Sequence, residues 1–362
     1  MSLTRRDLLL AGCVLITSAC TRPGSNSAPQ RFGTSAAGPN VQVLDPRLRL
    51  AFPDGAVAPT TISSFQKALR VRVTVMRGLL GDLTDVGRAD VSLVDDVTLA
   101  RLIGEKLVEP IDRSLVANRK LLQAPFDDPA YDPSGHHSVP KDYVTAGFVV
   151  STEIVPLPPA TWRGFFRLAR ILPGQVAVPS DPDLVIGAAL TAAGHDWNTS
   201  STSDLSDASD LLLPLRGSLV VAGSPARGSL RSTLAAALCF GHGFVAPPLG
   251  IRFVVPRDGT LARVRCYCVQ SYAPDPVSAH AWLDHTLDPT VAAAETRYTM
   301  RATPVGPAAY QLAPSILANP AVFPPALPAT PIAFQNVDAK GAQLRTELWR
   351  EFTLERRLGS RQ

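Results

Sequence analysis

Two hydrophobic periods alternate along the chain. Leu48-Arg-Leu-Ala-Phe52 has the two-residue period of a half-buried strand, and Ala58 to Leu69 places Ile62, Phe65 and Leu69 on one side of a helix. Val71-Arg-Val-Thr-Val75 returns to the strand period. Ala89-Asp-Val-Ser-Leu-Val94 reads as a further strand ending at Asp95-Asp96, and Val97 to Gly104 as a helix. Strands and helices in this alternation predict an α/β fold around a mostly parallel sheet with helices on both faces. Ligands of such sheets sit beyond the carboxyl ends of the strands. That rule places Asp54, Asp95 and Asp96 at a candidate cleft.

A later strand has two chemically different faces. After the turn in Val254-Val-Pro-Arg-Asp-Gly259, the residues Leu261, Arg263, Arg265 and Tyr267 share one face, while Ala262, Val264, Cys266 and Cys268 share the other. The second row belongs in a core. The first sets two guanidinium groups about 7 Å apart, which suits either a wet edge or the wall of a cleft holding a polar or anionic group.

The amino terminus changes the picture from a cytosolic chain to an exported one. Thr4-Arg5-Arg6-Asp7 precedes an apolar run from Leu8 to Ala19 that is too short for a membrane span but suits a signal-peptide core. The arginine pair fits a twin-arginine signal, and a general secretory signal reads nearly the same. Thr17-Ser-Ala-Cys20 resembles a bacterial lipobox, which makes Cys20 the lipidated residue, and residues 21–40, rich in Pro, Gly, Ser and Ala, read as a flexible tether. Some 320 residues then remain, enough for two lobes.

Composition mainly excludes. With 46% hydrophobic and 18% charged residues the body is globular, and a net charge of +4 spread without a basic block gives no nucleic-acid interface. Of the three body cysteines, Cys239 is positioned by sequence to bridge either Cys266 or Cys268, because neighbours two apart on a strand cannot bridge each other. Neither Cys266-Tyr-Cys268 nor His136-His137 has metal-ligand spacing, no catalytic triad order is present, and no cofactor or enzymatic activity is expected.

A series of phrases, in register over most of the body, carries a family resemblance. They are Glu109-Pro-Ile-Asp112, Pro129-Ala-Tyr-Asp-Pro-Ser-Gly135, Ser138-Val-Pro140, Thr161-Trp162, Ser180-Asp-Pro-Asp-Leu-Val-Ile-Gly-Ala-Ala-Leu190, Val254 to Gly259, Ala279-His-Ala-Trp282 through Leu287-Asp-Pro-Thr-Val-Ala292, and Ala302-Thr-Pro304. Together they resemble the polyamine (spermidine/putrescine) class of extracytoplasmic solute-binding proteins of ABC transporters. The resemblance implies a two-lobed type II periplasmic-binding-protein fold, each lobe a mixed, mostly parallel sheet flanked by helices, closing on a small solute by hinge motion. It implies a monomer that delivers solute to a membrane permease. The lobes would be discontinuous, with 41–147 and 266–306 in one and 148–265 and 307–352 in the other.

The same alignment shows where the ligand site departs from the family. Asp181 matches a family carboxylate, Phe240 stands for a tryptophan, and Gln335 is retained. The family's Trp-x-Asp on the crossing strand falls at Arg263-Val-Arg265, and a tyrosine falls at Arg301. Arginine in place of the anchoring carboxylate reverses the sign of the strongest contact. The expectation is therefore a guanidinium clamp of Arg263, Arg265 and Arg301 for an anionic or zwitterionic ligand, with Asp54, Asp95 or Asp181 available to an amine. The competing expectation is that these arginines pair with Asp95, Asp96 or Asp181 and fill a disused cleft, leaving a regulatory or interaction lipoprotein.

Overall fold

The structure, a computed structural model, describes residues 47–77, 88–222, 233–325 and 332–354. The signal segment, Cys20 and the tether lie outside the described residues. The body opens with β1 (Arg47–Phe52), α1 (Pro59–Leu69), β2 (Arg72–Arg77), β3 (Val91–Asp95) and α2 (Asp96–Gly104). Local chemistry sets these boundaries. Pro59 starts α1, where a missing N–H costs nothing, and the Asp95 carboxylate caps α2 by accepting from the Thr98 amide at 2.7 Å. There follow β4 (Ser138–Ser151), α3 (Trp162–Ile171), β5 (Val176–Pro179), α4 (Pro182–Ala193), α5 (Thr202–Leu212), β6 (Leu219–Ala222), β7 (Ala236–Phe240) and β8 (Ile251–Val254). The chain ends with β9 (Thr260–Val269), α6 (Pro276–Thr286), α7 (Pro289–Thr299), the single turn α8 (Pro314–Leu317), β10 (Ile332–Phe334) and α9 (Ala339–Thr353).

The strands lie in the order β2-β1-β3-β9-β4-β7-β5-β6, with β10 also on β9 and β8 also on β4. Pairing is parallel within β2-β1-β3 and within β7-β5-β6, and antiparallel where β9 and β4 join the two groups. The sheet is thus mixed, and β4 is its spine. Residues 138–145 of β4 pair with β9, then Ala146 hands over to β7, and residues 148–151 also pair with β8. Gly147 is required at this crossing, because a Cβ there would stand 2.3 Å from the Val254 carbonyl oxygen and 2.7 Å from the Phe253 ring.

Each lobe buries its own apolar groups. Leu48, Leu50, Phe65 and Trp282 pack on one side of the first lobe's sheet, and Val94, Leu99, Phe126, Tyr143, Cys266 and Cys268 form a second cluster. In the other lobe Phe148, Trp162, Phe165 and Leu212 pack with the almost wholly buried α4, while Val149, Ala237, Cys239 and Phe253 form a smaller cluster. This distribution corrects the expected disulfide. Cys239, Cys266 and Cys268 are all buried free thiols, and Cys239 sits in a different core from the other two.

Candidate functional site

β9 positions the site. Its Ala262, Val264, Cys266 and Cys268 row is fully buried as the alternation requires. The other row is split: Leu261 enters the second lobe's core and Tyr267 the first lobe's, leaving Arg263 and Arg265 between them with side chains 19% and 17% exposed. The two arginines therefore lie where the strand passes from one lobe to the other.

Arg265 forms a two-pronged pair with Asp142 on β4, Nε donating to Oδ1 at 2.7 Å and Nη2 to Oδ2 at 2.6 Å. Arg301, just beyond the left-handed residue Met300 that ends α7, donates from Nε to the same Oδ1 at 2.7 Å, so its terminal nitrogens are not spent on that carboxylate. Lys141 donates to Asp142 Oδ2 at 2.7 Å and stands 3.0 Å from Glu295 Oε2. Adjacent strand residues normally point to opposite faces. Here a register shift between Pro140 and Asp142 lets the Lys141 and Asp142 side chains meet. Glu295 in turn accepts from the Ala58 amide at 3.0 Å and from the Thr61 hydroxyl. The cluster contains three cations and two carboxylates, one positive charge in excess. Burial alone would raise the pKa of Asp142, but Lys141, Arg265 and Arg301 overcome it and hold the carboxyl well below the ordinary range.

Arg263 belongs to a second, looser group. Its Nε is 3.7 Å from Asp96 Oδ1 and its Nη2 is 3.9 Å from Asp181 Oδ2, both beyond hydrogen-bond length, and its guanidinium carbon lies 5.9 Å from the Phe240 ring centre. Asp96 is completely buried with neither carboxylate oxygen in a well-formed hydrogen bond. Burial, opposed by Arg263 and assisted by Asp95, pushes its pKa up to about 7. Asp181 caps α4 through the Leu184 amide at 3.2 Å and remains 39% exposed on its side chain. Asp183, in the first turn of α4, has a side chain 42% exposed, lies 3.6 Å from the buried Arg345 and has Gln335 beside it. Burial raises the pKa of Asp183 despite Arg345. His242, beside Phe240 with ring centres 6.5 Å apart, feels Arg301 and Arg265. Desolvation and those two charges lower its pKa.

The structure thus brings together Asp96, Asp181, Phe240, Arg263, Arg265 and Arg301, with Gln335 joined through Asp183. Asp54 sits exposed in the turn between β1 and α1, and Asp95 spends its side chain on the α2 cap. Sequence reasoning missed Asp142, Lys141, Glu295 and Asp183, and it favours a loop turn over cleft lining for His242 in Gly241-His-Gly243. A signal for the first two existed: they are adjacent charges inside a fourteen-residue strand that is buried throughout.

A sequence profile of the family described as bacterial extracellular solute-binding protein matches residues 88–339. The putrescine/cadaverine-binding protein of Pseudomonas aeruginosa is 23% identical over 264 residues, covering 67% of this chain and 74% of that protein. Among solved structures, the spermidine/putrescine ABC transporter substrate-binding protein of Streptococcus pneumoniae superposes with a TM-score of 0.79 at 18% identity, covering 86% of this chain and 99% of that one. A GABA receptor, Atu4243, superposes with a TM-score of 0.64 at 16% identity, covering 84% and 96%. The matched span is most of the body and includes the strands and helices that carry the clustered arginines and carboxylates. The chain belongs to the family of bacterial extracellular solute-binding proteins, with a two-lobed α/β fold of the polyamine-type ABC receptors.

Proposed function

We propose that this protein captures a small solute bearing a carboxylate or similar anionic group between its lobes and delivers it to an ABC permease. The observation that carries the reading is the Asp142 cluster: two partly exposed guanidiniums share one carboxylate, and a positive charge is left over. A polyamine ammonium held about 4 Å from that excess charge is repelled by about 4 kcal/mol at an effective dielectric near 20, which weakens binding about a thousandfold. The relatives differ in ligand, one named for diamines and one for GABA, so relatives of this fold take a solute that bears a carboxylate as well as solutes that bear only amines. The same reading includes export, anchoring through a lipidated Cys20, a monomeric receptor, and lobes that exchange near residues 147 and 265.

The test is a thermal-shift screen of purified protein against spermidine, putrescine, carboxylates and amino acids. Stabilisation by carboxylate-bearing solutes is expected. Stabilisation by spermidine alone would sink the reading. One observation favours a second reading, an interaction lipoprotein with a sealed cleft: Arg265 and Arg301 already have an internal carboxylate, and Arg263 faces two more. No stabilisation by any solute, with rigid lobes by small-angle scattering, would favour it.

A further inference from the structure

Two arginines on one face of β9 are held very differently. Arg265 is fixed to Asp142 by bonds of 2.7 and 2.6 Å, whereas Arg263 stands off both of its carboxylates, 3.7 Å from Asp96 and 3.9 Å from Asp181. Those two carboxylates differ as well. Asp181 accepts from the Leu184 amide at the start of α4 and meets solvent. Asp96, the first residue of α2, is completely buried with both oxygens lacking a well-formed hydrogen bond. A solute in the cleft cannot touch Asp96, but Asp96 can act on a solute through Arg263. With Asp96 ionised, Arg263 and its two aspartates sum to one negative charge, which cancels the excess positive charge of the Asp142 cluster. With Asp96 protonated they sum to zero, and that excess is uncovered.

Asp96 is faced by Asp95 beside it, by Arg263 and Cys266 on β9, by Tyr131 in the loop before β4 and by Arg301 after α7, together with its own amide and that of Val264. Burial outweighs Arg263 and raises the Asp96 pKa to about 7, and burial carries Tyr131 and Cys266 well above their ordinary values. Building on the anionic-solute reading, we infer that Asp96 is a positioning residue for solute capture: when it takes a proton from solvent it releases Arg263, whose charge then serves the solute's anionic group. Linkage makes the effect reciprocal. An anion that draws Arg263 away favours the protonated carboxyl, so capture takes up a proton and is tighter on the acid side of neutrality.

Two readouts test this. In the ligand-free protein the nitrogen NMR shift of Arg263 Nε, assigned by its absence from Arg263→Lys, should titrate with a midpoint near pH 7 and stay flat in Asp96→Asn. Calorimetry with butanoate as the probe should show at least fivefold tighter binding at about pH 6 than at about pH 8, the change expected when binding raises a pKa near 7 by about one unit. Asp96→Asn should bind butanoate equally at both, with the affinity the parent has at the lower pH. Circular dichroism of each variant establishes that it is folded. An Arg263 signal that is flat in the parent, or that still titrates in Asp96→Asn, overturns the inference whatever binds. Butanoate binding of equal strength at the two pH values overturns it and leaves the anionic-solute reading standing. A pH dependence that survives in Asp96→Asn also overturns it and passes the role to His242, which feels Arg301 and Arg265. Absence of butanoate binding at both pH values overturns the anionic-solute reading and the inference together.

Discussion

Neutralising Asp142 is the sharpest perturbation available. In Asp142→Asn the side chain keeps its shape but loses the charge that accepts bonds of 2.7, 2.6, 2.7 and 2.7 Å from Arg265 Nε and Nη2, Arg301 Nε and Lys141 Nζ. Three cations would then face only Glu295. Removing one member of a buried ion pair costs about 3–5 kcal/mol, because the remaining charges keep their desolvation penalty without their partner. For a body of this size that corresponds to a fall in melting temperature on the order of 10 °C. Thermal unfolding followed by tryptophan fluorescence reads it directly. The double variant Asp142→Asn, Arg301→Gln removes a cation together with the anion and should recover part of the loss, with a coupling of about 1–3 kcal/mol. Acid provides the sign check. The folded-state pKa of Asp142 is depressed, so its stabilisation is complete above the unfolded value near pH 4 and disappears as the pH falls from there through the folded value. The gap between parent and variant should therefore narrow below about pH 4. A single variant that melts within about 2 °C of the parent at neutral pH would refute the argument, since a buried four-bond charge hub cannot be that cheap to remove.

Three other outcomes follow from the same contacts. Asp96→Asn should stabilise the protein above pH 7 and make no difference below about pH 4, because a raised folded pKa gives stability that is lost as pH rises through it; the pH-dependent difference is on the order of 4 kcal/mol at most and is read from urea midpoints across pH. Gly147→Ala must displace the Val254 carbonyl or the Phe253 ring and should cost about 2 kcal/mol, visible as a lower urea midpoint with an unchanged slope. Cys239, Cys266 and Cys268 are buried, and burial raises the pKa of each thiol, so a thiol reagent should label none of them in the folded protein and all of them in denaturant, where an oxidised pair would leave only one reactive.

The fold was legible because its local signals are strong. The strand and helix expected at Leu48–Phe52 and Ala58–Leu69 appear within a residue or so, and the Asp95, Thr161 and Asp181 caps mark helix starts that hydrophobic period alone blurs. The strand period is plain in the sequence only from Tyr143 onward, whereas β4 begins at Ser138. Pro140, Lys141 and Asp142 argue locally against a strand, and only their pairing with β9 makes them one. The candidate site was half legible for the same reason. Arg263 and Arg265 declare themselves by alternation on one strand. Asp142 acquires its meaning from Arg265 and Arg301, which are 123 and 159 positions away, and no pattern of short period connects them. The reverse held for Asp54 and Asp95, which a rule about strand ends places at the cleft but which the structure leaves in an exposed turn and on a helix cap.

Packing and charge are separable along β9. Leu261, Tyr267 and the whole Ala262-to-Cys268 row are committed to cores, and the two arginines between them are not. Changing either arginine therefore alters the field in the cleft with little effect on the packing beneath. Arg265→Asp takes the cluster from three cations and two carboxylates to two cations and three carboxylates, from one positive charge in excess to one negative. Lys141 and Arg301 still hold Asp142, so the body should fold with a loss of about 2–4 kcal/mol. Calorimetry with butanoate and 1,4-diaminobutane then reads the sign of the site. Carboxylate binding should vanish and diamine binding should strengthen at least tenfold. A folded Arg265→Asp variant whose preference does not invert would show that the solute is held somewhere other than beside this cluster, whatever the fold it shares with its relatives.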